Sequence, residues 1–231
     1  GRHAGWIAAA GAMASTDDHE IPIVVLFPEV KFNQKKFLKT VDDKVKKFGY
    51  CSVVVSEGVA WPDGRFLAET GLKDAFGHSQ LGGAAPVVAE MIQAKLGHKY
   101  HWAVADYLQR AARHIASKSD VEQAYATGKA AVEYAIKGHN SVMPAIKRTS
   151  NKPYRWKIEM APLSKVANVE KMMPKSFISK DGFGITKRCR DYLEPLIRGE
   201  EYPAYNKNGL PKYVQLKKVM VAKKCPDFKL K

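Results

Sequence analysis

Ile23-Val24-Val25-Leu26-Phe27 and Cys51-Ser52-Val53-Val54-Val55 are the two stretches that decide the fold. The first is a continuous apolar run that ends at Pro28, as expected for a strand buried on both faces of a parallel sheet. Between the two stretches, apolar residues recur at helical spacing with lysines on the opposite face: Phe37, Leu38, Val41, Val45 and Phe48. Gly49 follows as a helix C-terminal signal. This order predicts a parallel strand–helix–strand unit.

The rest of the chain continues this alternation. Its patterns predict helices over 4–14 and 84–96, and a third buried strand over 101–105. Ser119-x-x-Glu122 predicts a capping box that opens a long helix. The apolar stripe of that helix consists of Val121, Tyr125, Gly128, Val132 and Ala135.

Short strands around 141–147 and 155–160, and a helix from about Thr186 to Leu196, complete the pattern. We therefore predict an α/β fold, a three-layer sandwich with a mostly parallel sheet and helices on both faces.

The formal net charge of +15 allows two interpretations. One is a polyanion-binding protein, and the other is a fragment whose acidic complement lies elsewhere. The lysine-rich stretch from Lys207 to Lys231 alternates with apolar residues, which is typical of an edge strand or tail protected against edge-to-edge pairing. It has no arginine-rich block, so we expect no nucleic-acid partner.

Cysteine usage and hydropathy indicate a cytoplasmic protein without a membrane segment. The three cysteines form neither a disulfide framework nor a CxxC motif. No apolar run approaches the length of a membrane span, and the Ala-rich start is better explained as a buried helix than as a signal peptide. His98-x-x-His101 lacks a nearby Cys or Glu partner, so ordinary histidines are favoured over a metal pair.

Polar residues follow the predicted strands at the sheet edge where α/β proteins bind ligands. They are Pro28-Glu29, Ser56-Glu57-Gly58 and Asp106 to Arg110. The start of the chain, Gly1-Arg2-His3-Ala4-Gly5-Trp6, reads as a phosphate-binding turn that leads into a helix. A purely structural role is the alternative to ligand binding for each residue: a helix cap for Glu57 and a surface ion pair for Arg110. Together the residues offer a carboxylate for hydroxyl groups and two arginines for phosphate.

Four of these segments resemble the phosphofructokinase family. Gly1 to Trp6 is similar to the family's MGRHAGW segment without its Met. The stretch from Ile23 to Val30 is similar to the family's strand that ends in PEV. Two further segments match motifs of the family in the same order and at similar spacing: the strand ending in Glu57-Gly58 and the Gln109-Arg110 pair. The similarity continues through Asp181-Gly182-Phe183-Gly184, and the stretch 107–117 is most similar to the bacterial pyrophosphate-dependent branch.

The resemblance implies reversible, Mg²⁺-dependent phosphoryl transfer from pyrophosphate to the 1-hydroxyl of fructose 6-phosphate, a glycolytic reaction. It implies that Gly1 and Arg2 hold the sugar phosphate near the reacting group, with Arg2 as the catalytic residue. Glu57 would accept hydrogen bonds from sugar hydroxyls, and Tyr107 and Arg110 would bind the 6-phosphate. The family's basic residue from a neighbouring subunit corresponds to a place near Lys99 or His101.

The family's donor loop and catalytic aspartate segment have no counterpart here; in the family they precede MGRHAGW. We therefore expect this chain to be the sugar-phosphate half of a homo-oligomeric enzyme. It would be inactive without an N-terminal half, which would also carry the Mg²⁺ ligands. The expected divisions are 1–109 in the sugar-phosphate domain, 110–150 crossing to the donor domain, and 151–231 returning.

Three alternatives remain open from the sequence. They are an ATP-dependent 6-phosphofructokinase, a non-catalytic sugar-phosphate-binding fragment, and a basic nucleic-acid-binding domain, of which the last is the weakest.

Overall fold

The computed structural model describes residues 3–73, 79–81 and 83–226. The helices are α1 (Trp6–Gly11), α2 (Gln34–Phe48), α3 (Ala84–Leu96), α4 (Leu108–Ala111), α5 (Lys118–Ile136) and α6 (Lys187–Leu193). The strands are β1 (Ile23–Leu26), β2 (Ser52–Val55), β3 (Glu69–Lys73), β4 (Ser79–Leu81), β5 (Val142–Asn151) and β6 (Tyr154–Pro162). Short 3₁₀ turns occupy Ala12–Ala14, Arg113–Ile115, Leu163–Lys165, Lys175–Phe177 and Glu194–Ile197.

The predicted strand–helix–strand unit is confirmed. β1 and β2 pair in parallel, from Ile23 opposite Ser52 to Leu26 opposite Val55. α2 connects them; its N-cap Asn33 accepts a hydrogen bond from the Lys36 amide at 3.0 Å. The helix ends at Gly49, whose φ of 81° is the left-handed conformation that glycine adopts without steric cost.

Alternating side chains of β1 enter two cores on opposite faces of the sheet. Val25 and Phe27 pack with α1 and with residues in and around α6. Val24 and Leu26 pack with α2 and α3. All four are at most 3% exposed, as expected for a strand covered on both faces. Helices therefore cover both faces of the parallel sheet, and the predicted three-layer α/β sandwich is confirmed.

The second half of the chain adds an antiparallel hairpin, β5–β6, against α5. Gln123 of α5 is buried and donates to the Tyr154 hydroxyl at 2.5 Å. Arg148 of β5 lies 4.0 Å from the Tyr192 ring and donates to the Tyr192 carbonyl at 2.8 Å. The hairpin is thereby joined to α6, and through α6 to the core of the parallel sheet.

Two local predictions are wrong. The stretch 101–105 is not a strand, and Trp102 and Val104 are more than half exposed there. An extended apolar stretch becomes a strand only when another strand pairs with it, and within the described residues none pairs here.

The second error concerns α5, which begins at Lys118 with Ser117 as N-cap. The Ser117 hydroxyl accepts from the Asp120 amide at 3.2 Å and donates to the Leu196 carbonyl at 2.6 Å. A tertiary contact therefore selected the earlier serine over the capping-box Ser119.

Residues 212–226 form a tail without strand structure, and Val214 and Leu216 are each 89% exposed. Of the two readings left open for this stretch, the tail is the correct one. Among the described residues, none of the helices combines the length and the apolar character that a bilayer crossing requires.

Candidate functional site

The carboxyl ends of β1 and β2 lie side by side. The Ser56 amide donates to the Leu26 carbonyl at 3.1 Å, one step beyond the strands, so the two chains leave the sheet together. Glu57 follows at this edge with an exposed side chain, whereas Gly58 beside it is buried. Glu57 directly follows the carboxyl end of β2, as predicted, and its exposed carboxylate is open to hydroxyl donors; the prediction that this strand is buried is wrong, since Ser52 is exposed and Val53, Val54 and Val55 are only partly buried.

The turn of residues 3–6, which leads into α1, packs on the carboxyl end of β1. Gly1 and Arg2 lie outside the described residues. The Gly5 amide donates to Glu29 Oε1 at 2.9 Å. A Cβ at Gly5 would lie 2.8 Å from Glu29 Oε2 and 2.9 Å from Phe27 Cδ1, so only glycine allows so close an approach. The turn 3–6 is thus placed at the same sheet edge as Glu57.

A distant segment, Glu170–Met173, holds the turn from the other side. Trp6 Nε1 donates to the Lys171 carbonyl at 2.8 Å, and His3 Nδ1 lies 2.5 Å from Glu170 Oε1. The Met173 amide donates to Glu29 Oε1 at 3.0 Å, so one carboxylate oxygen receives a backbone amide from each side.

The His3 ring also stacks on Phe66, with centroids 5.7 Å apart and planes inclined by 15°. Phe66 bridges to Ala60 in the loop that follows Glu57. The turn is therefore in contact with the loops after both parallel strands.

Tyr107 and Arg110 lie on another part of the chain, where residues 101–108 are exposed. Tyr107 is 64% exposed and precedes α4, which contains Arg110. The structure places Arg110 in the helix but does not describe its side chain. Asp106, just before Tyr107, has a φ of 46°. Asp is one of the non-glycine residues that adopt this left-handed region most readily. Lys99 and His101 are exposed on the same segment.

Within the described part of the chain, no group of three or more His, Cys, Asp or Glu residues is arranged to hold a metal ion. His98 Nε2 instead lies 3.1 Å from Asp42 Oδ1, which connects the end of α3 to α2. The side-chain hydrogen bond from Lys46, together with His98, lowers the pKa of Asp42 below its ordinary value of 3.8.

Burial raises the pKa of both the Cys51 and Cys189 thiols to about 11. Neither thiol therefore has a nucleophilic, thiolate form at neutral pH. The groups that the structure describes at the sheet edge are carboxylates and backbone amides.

Sequence reasoning placed Glu29 at the sheet edge but assigned it no role. It missed the segment Glu170–Met173 altogether. These residues reach the turn across more than 140 positions, and no local pattern marks them. The one available signal was the position of a carboxylate directly after a buried strand.

The parallel strands are covered by helices on both faces and carry a glycine-bearing turn and a carboxylate at their carboxyl edge. This arrangement defines an α/β protein of the class whose members bind ligands at that edge. The sequence profile described as "Phosphofructokinase" matches residues 1–135. The chain belongs to the phosphofructokinase family.

Among curated relatives, a pyrophosphate–fructose 6-phosphate 1-phosphotransferase of Methylococcus capsulatus is 65% identical over 97% of this chain and 53% of its own length. The Halomonas elongata protein of the same name is 60% identical over 100% of this chain and 55% of its own. A crystal structure of a pyrophosphate-dependent phosphofructokinase from Nitrosospira multiformis is 64% identical, with a TM-score of 0.83, over 99% of this chain and 54% of that one. The chain spans about half the length of these relatives.

Proposed function

We propose that this chain forms the fructose 6-phosphate side of an enzyme that transfers a phosphoryl group reversibly between pyrophosphate and the 1-hydroxyl of fructose 6-phosphate. The observation that carries the proposal is the attachment of the turn 3–6 to the carboxyl edge of the parallel sheet, beside the loop that begins at Glu57. The names of the relatives at 65% and 60% identity support this reaction and this donor.

Each proposed site residue suits one part of the substrate. An arginine at position 2 places a permanent positive charge where charge spreads over the transferring phosphoryl oxygens. The backbone of Gly1 would donate to the same group. Glu57, exposed at the sheet edge, accepts hydrogen bonds from sugar hydroxyls. Arg110 binds the 6-phosphate bidentately, with the Tyr107 hydroxyl as a further donor.

The divisions 1–109, 110–150 and 151–231 remain a proposal about domain membership. The middle segment contains α5, whose predicted stripe is exposed at Tyr125 (75%) and Val132 (60%). Apolar side chains at that exposure favour a covering partner, which we propose to be the N-terminal half or another copy of the chain.

Mg²⁺ is proposed to act on the pyrophosphate side of the reaction. The described residues offer no metal-binding group, so they do not fit the ion, and none of the roles above depends on it. We propose that its ligands belong to the N-terminal half, and that the enzyme is cytoplasmic.

Calorimetric titration of the purified chain with fructose 6-phosphate tests the sugar-phosphate site. Because a hydrogen bond to a charged group contributes about 1.5–3 kcal/mol, R2A should weaken binding by at least about tenfold. R155A removes an equal charge from an exposed position on β6 and should leave binding unchanged. Fructose without phosphate should bind far more weakly. Absence of fructose 6-phosphate binding by the unmodified chain refutes the proposal.

An activity assay decides between the remaining readings. The chain is mixed with the part of the Methylococcus capsulatus relative that it does not cover, and turnover is followed with Mg²⁺ and either pyrophosphate or ATP. We expect turnover with pyrophosphate in the mixture and none from the chain alone. Turnover with ATP only supports the ATP-dependent alternative. Turnover by the chain alone contradicts the assignment of the donor side to another segment.

A further inference from the structure

Glu29 occupies an unusual position between two backbone segments. Its Oε1 accepts the Gly5 amide at 2.9 Å and the Met173 amide at 3.0 Å. Its Oε2 is buried and, among the described residues, has no hydrogen-bond partner. A carboxylate that receives backbone amides from two sides ties the two segments to each other as well as to its own strand end.

The contacts on either side of Glu29 belong to one group. The segment Glu170–Met173 also holds Trp6 through the Lys171 carbonyl and His3 through the Glu170 carboxylate. Residues 3, 5 and 6 of the turn are thus each fixed by a different bond.

We propose that Glu29 is a positioning residue: together with the segment Glu170–Met173 it forms a clamp that fixes the turn 3–6, which follows the proposed phosphate-binding Arg2 in the sequence. The inference depends on the proposed function for its ligand. The clamp itself is visible in the turn, the strand end and the distant segment. Glu29 acts through Arg2 and does not touch the substrate.

The bonding pattern predicts how substitutions at Glu29 should differ. E29A removes the acceptor and releases both amides, so the turn is held only by its contacts to Glu170, Lys171 and Phe66, and fructose 6-phosphate should bind about tenfold more weakly. E29Q keeps a carbonyl oxygen where Oε1 accepts the two amides, and should restore binding to within about threefold of the parent chain. E20A is the matched control, because Glu20 is an exposed residue paired with Lys47 before the opposite end of β1.

A double-mutant cycle separates positioning from general destabilisation. If Glu29 acts through Arg2, E29A should weaken binding in the parent chain but cause no further loss in the R2A background. A purely structural role would lower binding by the same factor in both backgrounds, and that result overturns the inference. Hydrogen exchange of the Gly5 and Met173 amides should accelerate in E29A and stay slow in E29Q and E20A.

The outcomes distinguish this inference from the proposed function. If neither the parent chain nor any variant binds fructose 6-phosphate, the proposed function fails, while the exchange rates still test the clamp. If R2A weakens binding but E29A binds like the parent chain, the proposed function stands and the positioning role is refuted.

Discussion

Replacing Gly5 by alanine tests the contact between the turn and the strand end. Gly5 is buried, with φ −85° and ψ 18°, angles that alanine also adopts. Any penalty must therefore come from crowding. The new methyl group would lie 2.8 Å from Glu29 Oε2, 2.9 Å from Phe27 Cδ1 and 3.2 Å from Pro28 Cδ.

Atoms in ordinary contact are about 3.5–4.0 Å apart, so the turn or its neighbours must move by roughly half an ångström to one ångström. Crowding of this kind costs about 1–3 kcal/mol. A cost of about 2 kcal/mol lowers the Tm of a chain of this size by about 4–8 °C. Because the displaced turn carries Arg2, fructose 6-phosphate binding should weaken as well.

Gly128 provides the matched control. It lies inside α5, and an added Cβ would meet no atom within 4 Å. Alanine is preferred over glycine in a helix interior by about 1 kcal/mol, so G128A should raise the Tm by about 2–4 °C. Thermal unfolding of the parent and both variants, followed by circular dichroism, measures the two shifts. If G5A is as stable as the parent, or both variants shift in the same direction, the contact reasoning is refuted.

Three further outcomes are expected. S117A should destabilise the chain by about 1–2 kcal/mol in urea unfolding, since Ser117 caps α5, whereas S119A should change it by less than about 0.5 kcal/mol; equal effects would restore the capping-box reading. Iodoacetamide at pH 8 should modify exposed Cys225 in the folded chain and reach Cys51 and Cys189 only after denaturation, because burial raises the pKa of both thiols to about 11; mass spectrometry locates the label. The Lys46 hydrogen bond lowers the pKa of Asp42 below 3.8, so the stability that this carboxylate contributes is present above pH 3.8 and is lost as the pH falls through the lowered pKa. The urea midpoint of D42N should therefore fall less on acidification than that of the parent chain. Identical pH profiles for the two proteins contradict this prediction.

The parallel core was predictable because its signals are local. A five-residue apolar run at Ile23 to Phe27 has no polar face, so the segment must be covered on both sides. α2 is bounded by Asn33 and Gly49, residues that favour helix ends through their own side chain or backbone. The position of Glu57 followed from the same signals, since it comes directly after the second strand.

The errors share a different physical origin. The stretch 101–105 has an apolar composition compatible with a strand, but strand formation depends on a partner whose position is not encoded locally. Ser117 and Ser119 are equally good helix caps by residue type, and the contact of Ser117 with Leu196 decides between them. The clamp was hidden for the same reason, because Glu29 and Met173 become neighbours only in the folded chain.

The distance along the chain between the turn and the segment that holds it has a consequence for synthesis on the ribosome. Residues 3–6 are made early in this sequence, whereas Glu170 and Lys171, which bond to His3 and Trp6, follow 167 and 165 positions later. At about 5–20 residues per second, roughly 10 to 30 seconds separate the two events. During that interval the parallel strands can already pair and Glu29 can already accept the Gly5 amide, but the bonds from Glu170 and Lys171 to the turn are still missing. The nascent chain therefore completes the attachment of this turn well after the parallel strands that the turn packs against have been made.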